Sequence, residues 1–151
     1  MKQLEFSELT PVQQTLVNRA VEIRQRAYAP YSNYKVGVAL VDEKDNIHAG
    51  CNIESADYTL TTHAEMDAIN TMVKTGVLHL KEIAVVVKSD VGNAMPCGLC
   101  RQKIREFSAS PNVQVIGINL DKSEKIQHIF IAPMSELFPY GFGPDFLAMS
   151  T

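Results

Sequence analysis

The sequence lacks three features that mark large classes of proteins: an excess of basic residues, a long apolar run and an apolar leader. The 14 Lys and Arg residues are outnumbered by 17 Asp and Glu residues, so the net charge of -3 argues against general binding to nucleic acid phosphates. No apolar run approaches the roughly 20 residues that cross a bilayer. The segment Met1–Phe6 has neither the apolar stretch nor the cleavage site of a signal peptide. These absences predict a cytoplasmic protein with no membrane or nucleic acid partner.

Cysteine is also scarce. Three cysteines in 151 residues do not make the disulfide framework that stabilises small secreted proteins, and they suit a reducing compartment. With 46% hydrophobic residues, the chain has enough apolar material for a substantial core. No internal repeat, linker or low-complexity segment is evident. We therefore predict a single catalytic domain that spans residues 1–151.

Hydrophobic periodicity predicts alternating helices and strands. Apolar residues recur at three- and four-residue intervals from about Pro11 to Ala29, which predicts a helix with Thr10 as its cap. The other predicted elements are strands over about 36–40, 47–53, 83–87, 113–120 and 126–131 and helices over about 62–74, 97–107 and 134–138. Strand–helix–strand connections give parallel neighbours, whereas two short turns give antiparallel ones. The predicted fold class is α/β, a three-layer α/β/α sandwich around a mixed five-stranded sheet.

Two short motifs carry the chemistry of the chain. The first is His63-Ala64-Glu65, and the second is Pro96-Cys97-Gly98-Leu99-Cys100. One imidazole and two thiolates leave a tetrahedral zinc with one open position, as in catalytic sites. H-x-E followed by P-C-x-x-C is an established signature of zinc-dependent base deaminases, in which the glutamate carries protons and is not a ligand. The motifs predict one Zn²⁺ per subunit, held by His63, Cys97 and Cys100, with Glu65 as the catalytic residue.

Each motif taken alone also has a simpler interpretation. The run from Thr62 to Glu65 fits a capping box, in which the third residue's carboxylate returns to the N–H of the cap, and Glu65 could be both cap and proton carrier. Cys97 and Cys100 fit one buried helical face, or a redox Cys-x-x-Cys pair at a helix start. Cys51 is a conceivable fourth ligand of a closed structural zinc site, but it has no partner at ligand spacing.

The placement of the two motifs favours the catalytic interpretation. His63 and Cys97 lie at the starts of two predicted helices, and the strands before those helices bring both starts to the same sheet edge. Two helix N-termini aimed at one point favour anionic thiolates there. A redox pair needs no His-x-Glu motif, and a structural zinc needs a fourth ligand. A non-enzymatic zinc or thiol redox module stays open as the alternative from another class.

Four widely spaced segments resemble the small cytidine deaminases, across nearly the whole chain. They are similar to the family's opening loop and strand, nucleoside-binding strand, second zinc motif and C-terminal segment, and they span Ala29–Gly37, Gly50–Glu54, Pro96–Gln102 and Leu137–Pro144. The resemblance implies hydrolytic deamination of cytidine or deoxycytidine to uridine or deoxyuridine and ammonia, as in pyrimidine salvage. It also implies a homotetramer with shared active sites.

The same resemblance implies roles for residues around the zinc. Asn52 and Glu54 would hydrogen-bond the ribose hydroxyls, and Tyr34 would lie near the base. The backbone of Ala64 and Cys97 would lie near the carbonyl and amine of the base. Two aromatic residues would reach a neighbouring subunit's site, namely Tyr58 and Phe142. We further expect Arg101 to hydrogen-bond a zinc thiolate and tune its donor strength.

Departures from the family pattern concern charge and substrate. Most small members have a third cysteine where His63 stands and an arginine where Met66 stands. Zinc with three thiolates carries a net charge of about -1, which an arginine offsets, whereas two thiolates and an imidazole give a formally neutral site. Tyr34, Thr59 and Thr62 also depart from the pattern. Deamination of a modified cytosine nucleoside, such as blasticidin S or an N4-substituted cytidine, is therefore the alternative reaction.

Overall fold

Strands and helices alternate along the chain in the computed structural model, which describes residues 1–90 and 92–147. In chain order they are β1 (Lys2–Leu4), α1 (Pro11–Arg24), β2 (Val36–Asp42), β3 (Ile47–Cys51), α2 (Ala64–Lys74), β4 (Leu80–Lys88), α3 (Gly98–Glu106), β5 (Gln114–Leu120), β6 (Ile126–Pro133) and α4 (Met134–Leu137). Short 3-10 turns occupy Phe6–Glu8, Tyr58–Leu60 and Pro144–Leu147. The predicted order of elements is confirmed from α1 to α4.

The strands form one mixed sheet in the order β1-β6-β5-β4-β2-β3. β4 and β5 are parallel, and the other neighbouring pairs are antiparallel. The predicted mixed sheet is confirmed, but the predicted number of five strands is wrong, because β1 adds a sixth. In β1, Gln3 lies opposite Phe130 of β6. A three-residue strand with a single apolar residue carries no alternating signal, so β1 forms because the edge of β6 offers unpaired backbone groups.

Helices cover both faces of the sheet and complete the predicted three layers. The cluster between the sheet and α1 includes Leu16, Val17, Ala20, Ala39, Val86 and Ile118. The cluster on the face of α2 and α3 includes Leu40, Ile69, Met72, Val85, Ile104 and Val115. Successive residues of β2 and β4 therefore alternate between two apolar cores, which explains why these strands read as continuous apolar runs.

Two glycines let helices approach the sheet closely. A Cβ atom at Gly37 in β2 would lie 2.1 Å from the carbonyl oxygen of Ala20 in α1. A Cβ atom at Gly50 in β3 would lie 2.3 Å from the backbone nitrogen of Ala68 in α2. Only a residue without a side chain fits at either position. The contact at Gly50 seats α2 directly on β3.

The first helix is shorter than the periodicity predicts. It ends at Arg24 instead of near Ala29. The backbone N–H of Tyr28 donates to the carbonyl of Asn52, and the carbonyl of Tyr28 accepts from the N–H of Glu54. This pairing draws the segment after Arg24 toward the end of β3, where its backbone cannot also continue the helix.

The chain enters α2 and α3 at one edge of the sheet, as predicted. β3 and β4 both pair antiparallel with β2 and so run in the same direction, with Val87 opposite Val36 and Cys51 opposite Gly37. The segments that follow β3 and β4 lead into α2 and α3, so both helices begin above this edge. None of the described helices is both long enough and apolar enough to cross a bilayer.

Candidate active site

Three potential metal ligands converge where α2 and α3 begin. His63 is the N-cap residue of α2 and Cys97 is the N-cap residue of α3, and neither side chain caps its own helix. Cys100 lies in the first turn of α3. The Nδ1 atom of His63 is 3.5 Å from the Sγ atom of Cys97 and 3.3 Å from the Sγ atom of Cys100. All three ligand atoms lie within 4.8 Å of one another.

This arrangement fits a zinc ion. Bonds of about 2.0–2.3 Å at tetrahedral angles separate ligand atoms by roughly 3.6–3.8 Å, close to the spacing found here. Burial raises the pKa of the Cys100 thiol, and the neighbouring Glu65 carboxylate raises that pKa further. A cation is therefore needed to hold Cys100 as a thiolate, which a coordinated metal does directly.

The cluster favours an open metal site over the other interpretations of the cysteines. Among residues 1–90 and 92–147, no fourth histidine, cysteine or carboxylate joins the three ligands. Cys51 is buried and lies outside the cluster. Cys100 is buried with Ile104 on one face of α3, as a core stripe requires, but Cys97 is exposed. With three protein ligands, one tetrahedral position is left for a water or a substrate.

Glu65 lies in the first turn of α2 beside these ligands and is 5% exposed. The capping-box interpretation of Glu65 is wrong, because the N-cap of α2 is His63 and not Thr62. Thr62 instead exchanges two backbone hydrogen bonds with Ile53, at 2.9 and 3.0 Å. The Glu65 carboxylate is thus not used to cap the helix, and it lines a cavity next to the metal ligands.

This cavity has a volume of about 370 Å³. It contains seven of the residues that the sequence assigns to the site: Tyr34, Asn52, Glu54, His63, Ala64, Glu65 and Cys97. Eight further residues line it: Ser32, Val36, Thr61, Val85, Val87, Asn93, Ala94 and Met95. Its walls come from the start of β2, the segment after β3, the end of β4 and the first turn of α2. The cavity is therefore where the carboxyl ends of β3 and β4 meet two helix N-termini.

Asn52 and Glu54 are held rigidly in the cavity wall. The Oδ1 atom of Asn52 accepts from Val36 N at 2.8 Å, and its Nδ2 atom donates to Tyr34 O at 2.8 Å. The Glu54 carboxylate accepts from the Ser32 hydroxyl and from the backbone N–H groups of Tyr31 and Ser32. The hydrogen bond from the Ser32 hydroxyl lowers the pKa of Glu54 most, and the two backbone bonds add to that effect. Glu54 is therefore an acceptor held as a carboxylate.

Tyr34 lines the same cavity as Glu65. Burial raises the pKa of its phenol, the positive charge of Arg24 opposes that shift, and the negative charge of Glu65 adds to it. The side chain is still 47% exposed. Tyr34 therefore presents a neutral hydroxyl to the cavity near neutral pH.

Four of the predicted site residues are not part of the cavity wall. One is the buried potential ligand Cys100, and the others are Tyr58, Phe142 and Arg101. Tyr58 is 66% exposed and packs edge-on against Tyr31. Phe142 is exposed and stacks on Phe146. The guanidinium of Arg101 donates to the carbonyl oxygens of Pro96 and Leu137, at 2.8 and 2.9 Å. A hydrogen bond from Arg101 to a zinc thiolate stays a prediction.

Sequence patterns miss most of the other lining residues. Ser32 lies two residues before Tyr34 in the opening loop but has no motif of its own. Asn93, Ala94 and Met95 follow β4 at its carboxyl end, which is the position that strand order alone identifies as functional in open α/β sheets. Thr61 also lines the cavity, and its hydroxyl oxygen is buried with no hydrogen-bond partner among the described residues.

Comparisons with known proteins agree with this geometry. The model of the cytidine and deoxycytidylate deaminase zinc-binding region matches residues 11–116. A cytidine deaminase of Halalkalibacterium halodurans is 36% identical over 129 residues, which cover 85% of this chain and 92% of that protein. A cytidine deaminase of Sporosarcina psychrophila is 44% identical over 92 residues, which cover 61% of this chain and 67% of that protein.

The fold comparison gives the same result. The crystal structure of cytidine deaminase from Burkholderia pseudomallei has a TM-score of 0.77 and 34% identity, covering 89% of this chain and 100% of that chain. The zinc-binding region and the His-Cys-Cys cluster together confirm the predicted zinc cofactor. The chain belongs to the cytidine and deoxycytidylate deaminase zinc-binding family.

Proposed function

We propose that the protein hydrolyses cytidine or deoxycytidine to uridine or deoxyuridine and ammonia. The observation that carries this proposal is the buried Glu65 carboxylate at the wall of a nucleoside-sized cavity, beside the cluster of His63, Cys97 and Cys100. Zinc held by these three residues supplies a water that is acidic enough to be deprotonated near neutral pH. Family membership supports the same reaction.

Glu65 is the group that moves protons. It would take one proton of the attacking water and deliver it to the ring nitrogen of the base. It would then take the second proton from the new hydroxyl group and donate it to the amine, which leaves as ammonia. Burial in the first turn of α2 holds the carboxylate in one place, so its reach to the substrate is fixed before binding. Tyr34 and the backbone of Ala64 and Cys97 would surround the base.

The ribose would lie against Asn52 and Glu54. Both side chains are already fixed by hydrogen bonds to the segment from Tyr31 to Val36. The carboxylate of Glu54 has remaining lone pairs for a hydroxyl donor, and Asn52 has one remaining N–H. Groups fixed in advance lose little conformational freedom when a nucleoside binds.

The direct test of the mechanism is Glu65→Gln, which keeps the size of the side chain and removes its ability to take a proton. We expect deamination of cytidine, followed by ultraviolet absorbance, to fall by about 10² to 10⁴-fold. Zinc content, measured by metal analysis, should stay near one ion per chain. Glu22→Gln is the matched control, because Glu22 is on the exposed side of α1. Retention of activity by Glu65→Gln would overturn the proposed mechanism.

The same assay identifies the substrate. Cytidine, deoxycytidine, blasticidin S and N4-substituted cytidines should be compared at equal enzyme concentration. We expect cytidine and deoxycytidine to have the highest kcat/KM. A higher value for blasticidin S or an N4-substituted cytidine would replace the proposed substrate with the modified nucleoside while leaving the role of Glu65 intact.

We also propose the assembly and location of the protein. Residues 1–151 would form a single catalytic domain that assembles as a homotetramer in the cytoplasm. Support for assembly comes from apolar side chains around the cavity mouth and in the C-terminal segment that are largely exposed in the single chain: Tyr28, Tyr31, Ile53, Tyr58, Leu60, Tyr140 and Phe142. Apolar surface on this scale is typical of an interface between subunits.

A further inference from the structure

A second cavity, of about 300 Å³, lies on the α1 side of the sheet. It is at the same edge of the sheet as the active site, where β2 begins and β4 ends. The ends of several elements meet there: α1 ends at Arg24, β2 follows Lys35, and β4 ends at Lys88. Lys122, from the turn between β5 and β6, completes the set of cationic residues. Asn33, Ser89 and Asp90 also line the cavity.

The charges around this cavity do not balance. Glu124 pairs with both Arg24 and Lys88, and Asp90 lies 3.6 Å from the ammonium of Lys122. These two carboxylates therefore face four cationic side chains, which leaves an excess of two positive charges. The chain as a whole carries a formal net charge of -3, so the excess is local. A concave surface with unbalanced positive charge attracts anions.

Arg24 gives the cavity a fixed donor. Its side chain is 5% exposed, and its Nε atom donates to Lys35 O at 3.0 Å. One terminal nitrogen, Nη1, bonds Glu124, and the other has no hydrogen bond to any residue that the structure describes. The ammonium of Lys35 likewise has no ion pair within the described chain. A buried guanidinium next to the ammonium of Lys35, unpaired among the described residues, is a combination that suits phosphate oxygens.

We propose that this second cavity binds a phosphate group, either as inorganic phosphate or as the phosphate of a nucleotide. The site is separate from the one that performs deamination, although both use the same segments of chain. Tyr34 and Val36 line the substrate cavity, whereas Asn33 and Lys35 line the second one. Val87 faces the substrate cavity, and the next residue, Lys88, faces the second.

Isothermal titration calorimetry of the zinc-loaded protein with inorganic phosphate, at constant ionic strength, tests the proposal. We expect wild type to bind, and Lys35→Gln/Lys122→Gln to bind at least about tenfold more weakly, since two charge-assisted hydrogen bonds are lost. The matched control is Lys44→Gln/Lys74→Gln, which makes the same change in net charge at the opposite edge of the sheet. Thermal melting should show that both double variants are folded.

Two results would overturn the proposal: no binding of phosphate by wild type, or equal weakening by the two double variants, which would indicate non-specific attraction to charge. Uridine 5′-monophosphate, compared with uridine, then identifies the source of the phosphate. Tighter binding of the monophosphate than of uridine or phosphate, with the advantage lost in Lys35→Gln/Lys122→Gln, assigns the site to nucleotides. Equal binding of inorganic phosphate and the monophosphate assigns it to the free ion. None of these measurements depends on deamination.

Discussion

Glu65 and Thr62 illustrate how the meaning of a residue depends on where its helix begins. The spacing between them is that of a capping box, and a helix starting at Thr62 would use the carboxylate to bond its own backbone. In the structure the N-cap lies one residue later, at His63, because Thr62 pairs with Ile53. That shift of the start frees the carboxylate for chemistry. Helix boundaries are the features that a sequence pattern predicts least reliably. The motif therefore identified Glu65 but could not show whether its carboxylate caps the helix or faces the cavity.

The three cysteines make a prediction about metal binding at the scale of single residues. Cys100→Ser should lose zinc, because a hydroxyl is a much poorer zinc ligand than a thiolate. Cys51→Ser should keep zinc near one ion per chain, because Cys51 is buried outside the cluster. Metal analysis of the two purified variants makes the comparison, with wild type as reference. Equal zinc content in both variants would show that Cys100 is not a ligand.

Residue types and spacing predicted the three potential metal ligands and Glu65, whereas Tyr34, Asn52 and Glu54 were predicted only from the resemblance to cytidine deaminases. The lining residues that neither approach predicted have a common cause. Ligands and the glutamate belong to fixed motifs, whereas Ser32, Thr61 and Asn93 enter the cavity only through the path of a loop. Such residues have no periodicity and no chemical partner in sequence. Their positions depend on backbone pairings such as that of Tyr28 with Asn52, which join segments far apart in the chain.

At the scale of elements, apolar patterns predicted the long strands and the helices. They failed where an element is short, or where its presence or length depends on hydrogen bonds to a segment far away in the sequence. The strands β2, β4 and β5 are buried between two helical layers and are rich in β-branched residues. β1 has no such signal and depends on the edge of β6. The length of α1 was overpredicted for the same reason. The apolar pattern continues past Arg24, but the backbone there forms hydrogen bonds with the residues that follow β3.

The turn between β2 and β3 makes a prediction about pH. Burial of Asp42 alone would raise the pKa of its carboxyl, but hydrogen bonds from His48, Asn46 and Lys44 N outweigh burial and lower it to about 2. A depressed pKa stabilises the fold above the ordinary value near 3.8, and that stabilisation is lost as pH falls toward 2. Urea unfolding of wild type should therefore show a free energy of unfolding that declines as pH is lowered from about 4 toward 2.

The variant Asp42→Asn isolates this contribution. It should be less stable than wild type at pH 6, and the difference should shrink as pH falls from about 4 toward 2. Asp45→Asn is the matched control, because Asp45 lies in the same turn but is 80% exposed. A difference between wild type and Asp42→Asn that does not change with pH would contradict the assignment.

At the scale of the whole molecule, the exposed apolar side chains around the cavity mouth predict assembly. We expect light scattering to give about four times the chain mass of 16.7 kDa. Phe142→Ala should keep its zinc but lower kcat/KM for cytidine, because Phe142 would complete the site of a neighbouring subunit. Ile47→Ala is the control, since Ile47 is also exposed but lies at the opposite edge of the sheet.

Two outcomes would count against the assembly. A mass equal to one chain at micromolar concentration would mean that the protein does not form the tetramer. An equal effect of Phe142→Ala and Ile47→Ala on kcat/KM would mean that Phe142 has no special contact with substrate or neighbour.

The close contact at Gly50 makes the metal centre sensitive to a residue that touches neither metal nor substrate. A methyl group there would collide with the backbone of Ala64 and Ala68 in α2, the helix whose N-cap position is occupied by His63. Metal–ligand distances tolerate errors of only about 0.2 Å, so even a small displacement of α2 would carry the imidazole out of bonding range of an ion held by the two cysteines. We therefore expect Gly50→Ala to release zinc from a chain whose ligands are all intact. Metal binding would then depend on the absence of a side chain at a position that contacts neither the metal nor the substrate.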